Sequence, residues 1–484
     1  MNADTVVHDP MPPRTSAAGV LASGLDARVL VDRALVRAHL AAGMTFFVIA
    51  VLTGLLFSLQ FLQLYPFPTL QLLSPGRVRM LHTSSIAFGF FVNCFYGLMY
   101  WVVPRLTGRP TLSRTLGWVT FVVWQIIVVA SSLGILAGHA QGIEWGETPT
   151  WVDPFVIVGV AMLVTNLVAP ILRRRDREMY VTLWYVSAGL VWTALTYFMG
   201  NFVPQYWLPG AAGAAVTGLY IHDLVGLFIT PMGWGLMYYM IPVLLKKPVW
   251  SHTLSIVGFW GLAFFYPLNG IHHFLYSPIP MYAQYGAIIS TIAVEFVVAT
   301  VIFNFMMTLR GSGDALRTSL PVRYFYTGMG FYFLTCLQCS FQTTLLFQRL
   351  IHFTDWVVGH AHMVMFGVFG MWILGSIDYV WPKLVGRAWR SERARHWQYW
   401  LALSGIGIMS LDLMICGVVQ GSLWRSLAPW QESVIASVPY WAIRSGAGLL
   451  MTVSILMTAF HMWITARADA VEPKTTERTA PAAA

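Results

Sequence analysis

Apolar stretches as long as a bilayer's hydrocarbon core is thick recur along this chain from Phe46 to Ile464. Each can cross about 30 Å of lipid as a helix. By length, about twelve such segments can be placed, near 39–65, 79–104, 113–138, 151–173, 177–203, 211–245, 250–275, 282–310, 320–348, 354–383, 397–421 and 434–466. Lipid offers the backbone no hydrogen-bond partner, so every crossing must be helical. Composition excludes a soluble fold. Only 10% of the 484 residues are charged and 57% are hydrophobic, against about 25% charged in soluble domains. The expected fold class is therefore an all-α integral membrane protein of about twelve transmembrane helices, with one helical domain over 39–466, a cytoplasmic N-terminal segment over 1–38 and a disordered cytoplasmic tail over 467–484.

The net charge of +9 does not describe a nucleic-acid face, because the basic residues sit in alternate loops. Arg28, Arg33 and Arg37 precede the first span; Arg105, Arg109 and Arg114, Arg173 to Arg175, Lys246 and Lys247, and Arg387 to Arg395 fill every second loop. The positive-inside rule then puts both termini in the cytoplasm. The polar N-terminal segment has no short apolar core before a cleavage site, so no signal peptide is expected. Cys94, Cys336, Cys339 and Cys416 all lie in apolar stretches and read as small buried side chains. Cys336-Leu-Gln-Cys339 is followed by Ser340 rather than His, which rules out covalent c-type haem attachment there.

Histidines inside apolar helices are costly and usually functional. His82 opens the second span, His222 lies in the sixth, His272 and His273 end the seventh, and His360 and His362 open the tenth. With spans alternating in direction, all six imidazoles fall in the outer third of the membrane. His360 and His362 are about 200° apart around a helix, so they serve two sites rather than one metal. His272 and His273 can converge if the helix is distorted at Pro267 and Gly270. With His222 they make a three-nitrogen site suited to copper, zinc or iron, with a position left open.

At this point the sequence resembles the catalytic subunit of haem-copper oxidases, specifically the cbb3 type. The resemblance rests on Arg79-Met80-Leu81-His82-Thr83, Tyr220-Ile221-His222-Asp223, Gly270-Ile271-His272-His273, His352 through His362, Gly417 through Arg425 and Ile443-Arg444-Ser445-Gly446. It implies two b-type haems and one copper. His82 and His362 would be the axial ligands of a low-spin haem, His360 the proximal ligand of a high-spin haem, and His222, His272 and His273 the copper ligands. Two axial imidazoles close a haem to other ligands, whereas one leaves a reactive face. The family needs a phenol near the copper. Most types place it four residues after the first copper histidine, where this chain has Gly226; the cbb3 type takes it from the seventh span, where Tyr266 stands, expected to be linked covalently to His222.

The resemblance also implies supporting roles. Arg444, Asp355 and His352 would meet haem propionates or second-shell groups, and Glu144 and Glu147 match acidic positions associated with Ca2+. Ser255, Tyr238 and Tyr239 would form a proton path from the cytoplasm. O2 is the implied substrate, membrane-anchored c-type cytochromes the electron-delivering partners, and the bacterial inner membrane the location. Two positions depart from the family: Gln342 where it usually has Glu, and Gly258 where it has His. Glu295 and Asp412 are further buried acids. Glu295 keeps an alternative open, a nitric oxide reductase with non-haem iron in place of copper, and a haem-binding transporter or sensor is a third class.

Overall fold

The computed structural model describes residues 30–467, so the sequence expectations for residues 1–29 and for the tail beyond Arg467 lie outside the described residues. Among the described residues there is no strand. Eleven helices are long and apolar enough to cross a membrane: α1 Arg33–Leu62, α2 Pro75–Thr107, α3 Arg114–Ala137, α4 Asp153–Leu172, α5 Val181–Tyr206, α6 Gly210–Leu245, α7 His252–Phe274, α8 Met281–Leu309, α10 Asp355–Val385, α11 Glu392–Arg425 and α12 Trp430–Arg467. Between α8 and α10 runs a further helix, α9 Leu320–Gln342, of 23 residues. It is long enough to cross, but Arg323, Gln338, Gln342 and several tyrosines make it less apolar than the rest.

Most boundaries lie within five residues of the sequence expectation, and the two largest differences are at the start of the first helix and the end of the ninth. The first helix begins at Arg33 rather than near 39, because the Asp32 carboxylate caps it and accepts from the backbone N–H of Ala34 and Leu35 at 3.1 Å each. The ninth ends at Gln342 rather than 348, and Leu345–Ile351 forms a separate short helix.

Consecutive helices pack on one another, and α12 returns to α1. At the centre α2, α6 and α10 touch pairwise. Val92–Thr107 of α2 and Thr230–Pro242 of α6 are buried without interruption.

These three helices repeat one construction. Each contains a π turn: Ser85–Phe91, Leu224–Ile229 and Met363–Gly370. Each carries a proline near its end (Pro104, Pro242, Pro382), and four residues later a left-handed C-terminal residue: Gly108 (φ 61°), Lys246 (φ 55°) and Gly386 (φ 70°). Each is followed by a helix capped through a serine hydroxyl, Ser113, Ser251 or Ser391, at 3.2 Å. The fold is thus a threefold repeat of four helices, with the central member of each repeat carrying histidines.

Candidate metal centre

The π turns sit where the histidines need them. They begin within three residues of His82, His222 and His362. A π turn inserts an extra residue and widens the helix locally, a feature common at functional sites. In α7 the regular helix stops at Phe265, and Tyr266–Phe274 continues as a tighter 3-10 segment starting at Tyr266-Pro267. Gly270 lets α7 approach α6 backbone to backbone: a Cβ there would lie 2.4 Å from the Gly218 oxygen and from the Leu219 Cα. That approach brings His222 to the vicinal pair.

His222, His272 and His273 converge so that one nitrogen from each lies within 4.8 Å of the others. His222 Nδ1 is 3.1 Å from His273 Nε2, and the His222–His272 ring centroids are 4.4 Å apart. Among the described residues this is the only group of three or more His, Cys, Asp or Glu with metal-ligand spacing. Thr291 sets the tautomer of His272. Its hydroxyl donates to the Ala287 carbonyl at 2.7 Å, so its oxygen accepts from His272 Nδ1–H at 2.8 Å and leaves Nε2 free.

His82 and His362 face each other with ring centroids 6.1 Å apart and planes 19° from parallel. His82 Nδ1 donates to the Ala50 carbonyl (2.7 Å) and His362 Nδ1 to the Val358 carbonyl (2.9 Å). A carbonyl can only accept, so both rings present a bare Nε2. Gly54 makes room for His82: a Cβ there would lie 2.7 Å from the ring. His360 points elsewhere, within electrostatic range of His222, His272 and His273. Its Nδ1 donates to Gln338 Oε1 at 3.1 Å. Its Nε2 lies 3.2 Å from the Gln342 amide nitrogen, whose oxygen accepts from Trp356 Nε1 at 2.9 Å.

A family model described as "Cytochrome C and Quinol oxidase polypeptide I" matches residues 34–450. The chain belongs to this family. It is 31% identical over 434 residues to cytochrome c oxidase subunit 1 of Rhodobacter capsulatus, covering 84% of this chain and 81% of that one. It is 29% identical over 410 residues to the cbb3-type cytochrome c oxidase subunit CcoN1 of Stutzerimonas stutzeri, covering 81% and 86%. A heme-copper terminal oxidase dimer solved by cryo-EM shares the fold, with TM-score 0.77 at 14% identity over 92% of this chain and 85% of that one. The protein is thus a multi-pass membrane member of a respiratory oxidoreductase family that binds haem and copper.

The six imidazoles fit those groups. Two facing, near-parallel rings with free Nε2 atoms suit a bis-imidazole haem, and three convergent nitrogens suit copper. Arg444 supplies an anion site beside the first pair. It is 8% exposed, lies within electrostatic range of both His82 and His362, and is 4.0 Å from Asp355 Oδ1. Asp355 is committed on its other oxygen, which accepts from Gln420 Nε2 and Trp441 Nε1 at 2.8 Å each. His352 Nδ1 bonds Gln348 Oε1 at 2.7 Å, and its ring lies within electrostatic range of His273.

Glu144 is held in a forked pair by Arg79 (2.6 and 2.8 Å). Its counter-charge in this structure is a guanidinium, which an added cation would have to displace. Glu147 accepts from the Thr83 and Ser84 hydroxyls at 3.1 and 3.4 Å, next to His82. Burial, reinforced by the charge of Glu144, pushes its carboxyl up to about 7.

Tyr266 stacks on His222, with centroids 4.7 Å apart and planes 20° from parallel. Its ring fills the place of a side chain at 226: a Cβ on Gly226 would lie 1.5 Å from Tyr266 Cε1. Phenol and glycine are therefore complementary. Glu295 meets the Cys336 thiol and lies within electrostatic range of Tyr266, but is not among the grouped ligand atoms. Asp412, 7% exposed, has one carboxylate oxygen without a partner, near Asp355 and Arg444.

Of the three proton-path residues, two come together. Ser255 Oγ accepts from Asn304 Nδ2 at 3.1 Å, with Tyr238 beside them. Tyr239, one residue on, turns to Arg105 instead. At Gly258 a Cβ would lie 2.6 Å from Val301 and 3.2 Å from the Tyr185 hydroxyl, so Tyr185 occupies the space an imidazole would need.

Sequence reasoning missed Thr291, Gln338 and Tyr185. Thr291 has no signal of its own, since Ser290, Thr300 and Thr308 share its helix. Gln338 did have one, since it stands one turn before Gln342 inside a helix of membrane-crossing length, where side-chain amides are costly. Thr291→Val is expected to weaken copper retention about 10–100-fold, the range for losing the partner of a ligating histidine. Copper content after graded chelation, set against unmodified protein, checks this.

Proposed function

We propose that this chain is the catalytic subunit of a cbb3-type cytochrome c oxidase, reducing O2 to water with electrons from membrane-anchored c-type cytochromes in the bacterial inner membrane. The observation that carries the reading is Tyr266 stacked on His222 and seated over Gly226, beside the three-histidine cluster. Two b-type haems and a copper ion, bound there, would supply electron transfer and the reduction of O2.

The chain's own residues do the rest. His82 and His362 would hold the low-spin haem, and Arg444 would supply positive charge for its carboxylates. His360, its Nδ1–H tied to Gln338, would present Nε2 to the high-spin haem. His222, His272 and His273 would hold copper, with Thr291 fixing the ring of His272. Tyr266 gives a proton and an electron at its phenol oxygen to the reaction and is linked to His222. Its proton is replaced from the cytoplasmic side through the cluster of Ser255, Asn304 and Tyr238. Both termini face the cytoplasm, in keeping with the basic loops.

The test is metal analysis with reduced-minus-oxidised and CO-difference spectra on the purified complex. Two irons per copper in this subunit, one CO-reactive haem and turnover with O2 are expected. Iron in place of copper, with turnover on NO and none on O2, would overturn the reading.

A further inference from the structure

Toward the basic-loop end of the bundle, where the C-terminal parts of α2, α6 and α10 meet, the molecule holds a positive charge without a counter-charge. Trp101 and Arg105 come from α2, Tyr239 from α6, and Tyr379 and Lys383 from α10. The Arg105 guanidinium lies over the Trp101 ring, 3.7 Å from its centroid, and the Lys383 ammonium lies 3.8 Å from that of Tyr379. Arg105 is within electrostatic range of Lys383, Tyr239 and Tyr379. Two cations therefore share one small region with two phenols and an indole.

Basic side chains near the ends of membrane helices usually carry their charge out to water. Lys383 is exposed and does so, but Arg105 is only 8% exposed. Among the described residues the Nε–H of Arg105 has no hydrogen-bond partner, and neither has the Nε1–H of Trp101 beneath it. Neither Arg105 nor Lys383 enters an ion pair there. The carbonyl ends of the three helices offset part of the charge, yet none of them accepts from Arg105 Nε–H. An arginine lying over an aromatic ring still has its N–H edge available for a second partner.

The neighbouring loop adds positive charge. Arg175 packs on Gly108 at the end of α2, where a Cβ would lie 3.1 Å from its Cδ, and Arg109 Nε donates to the Arg173 carbonyl at 3.2 Å. A buried cation in a membrane protein calls for an anion. Guanidinium, ammonium and indole N–H groups offer donors and no acceptor, so the anion must bring several oxygens. A phosphate group has them, with charge to match two cations. Arginine binds it through its fork and lysine as a point charge. Basic pockets between membrane helices on the cytoplasmic side take phospholipid headgroups by the same chemistry.

We propose that Arg105, Lys383 and Trp101 form a binding site for a phosphate-bearing anion, which ties the ends of α2 and α10 together beside Tyr239 of α6. The anion is a free phosphate or the headgroup of an anionic phospholipid; both present the same oxygens to the same donors. Bound there, it neutralises the charge that Arg105 and Lys383 bring together and holds the central helices at one end. The site stands roughly 30 Å along α2 from His82. It does not depend on which electron donor or oxidant the protein uses.

The test uses the purified complex with its haems, its unfolding midpoint followed by tryptophan fluorescence and haem absorbance. One arm adds inorganic phosphate in an uncharged detergent, against chloride at the same ionic strength. The other compares nanodiscs of phosphatidylglycerol with nanodiscs of phosphatidylcholine. A midpoint raised by phosphate identifies a free anion, and one raised by phosphatidylglycerol alone identifies a lipid headgroup. Arg105→Gln keeps a polar side chain and removes the charge. It is expected to need about 10-fold more phosphate for the same rise, the weight of a hydrogen bond to a charged group, or to lose the difference between the two nanodiscs. In chloride the variant should be no less stable than the unmodified protein, because it removes an unpaired buried charge. Lys383→Gln, at an exposed position, should weaken the response in the same direction without a risk to folding. The proposal is overturned if neither arm raises the midpoint above its control, or if both variants keep the full rise. Failure of Arg105→Gln to assemble, with Lys383→Gln responding as the unmodified protein does, would overturn it too and assign Arg105 to packing.

Discussion

Replacing Gly226 with alanine is expected to remove turnover with O2 while the low-spin haem spectrum persists. The added Cβ would lie 1.5 Å from Tyr266 Cε1, 1.9 Å from Cδ1 and 2.2 Å from Cζ. None of these is the end of a flexible chain. They belong to a rigid ring whose neighbour is His222, stacked at 4.7 Å. The backbone at 226 lies in a π turn that runs directly into the fully buried stretch Thr230–Pro242 and has little freedom to withdraw. Overpacking of this kind costs about 1–3 kcal/mol or more, and the ring is the part that must move. A displacement of about 1 Å at a reacting group costs on the order of 10²-fold in rate, and this one is larger. O2 consumption and reduced-minus-oxidised spectra on the same preparation check the outcome. Tyr266→Phe separates the causes: it keeps the ring where it packs and removes only the hydroxyl, so it should lose turnover without disturbing stability. Full activity in either variant would mean that Tyr266 is not the reacting phenol.

His272→Ala is expected to release the copper and stop O2 reduction, with both haems retained. The triad is the only such group among the described residues, and no carboxylate or thiolate stands among its atoms to replace a lost ring. Removing a ligand outright should exceed the about 10–100-fold weakening that follows loss of a ligand's partner. Copper per haem should fall well below that of Thr291→Val under the same chelation. The CO-difference spectrum of the high-spin haem should survive, since His360 lies on another helix with its own partner, Gln338. Haem loss in parallel with copper would show that the vicinal pair supports the bundle rather than the metal.

The family comparisons bear out, at the coarser level, what the apolar runs and the family resemblance implied: a helical membrane oxidoreductase of the haem-copper kind. Most of the candidate centre was also legible in the chain. A histidine inside an apolar helix is conspicuous because lipid-facing positions tolerate so few polar groups, and His82, His222, His272, His273, His360 and His362 stand out on that ground. Local sequence carries no cost signal that tells other polar residues apart. Glu144 and Glu147 looked alike in a polar loop, yet one is taken up by Arg79 and the other is buried on Thr83 and Ser84. Tyr238 and Tyr239 were inseparable by type, and only the helical turn of about 100° between neighbours sends one to Ser255 and the other to Arg105.

What the sequence by itself determined was what each stretch must become: hydrocarbon allows an apolar run only a helix, and its thickness sets the length. What only the tertiary structure decided was which helices meet. The placement of α2, α6 and α10 at the centre depends on close approaches at single glycines, such as Gly233 of α6 against Phe369 and Trp372 of α10. The π turns that aim the histidines depend on hydrogen bonds among buried backbone groups. The threefold repeat survives in the chain as little more than a proline, a left-handed residue and a serine per copy. Those few residues are the ones backbone geometry requires; everything between them is free to vary so long as it packs.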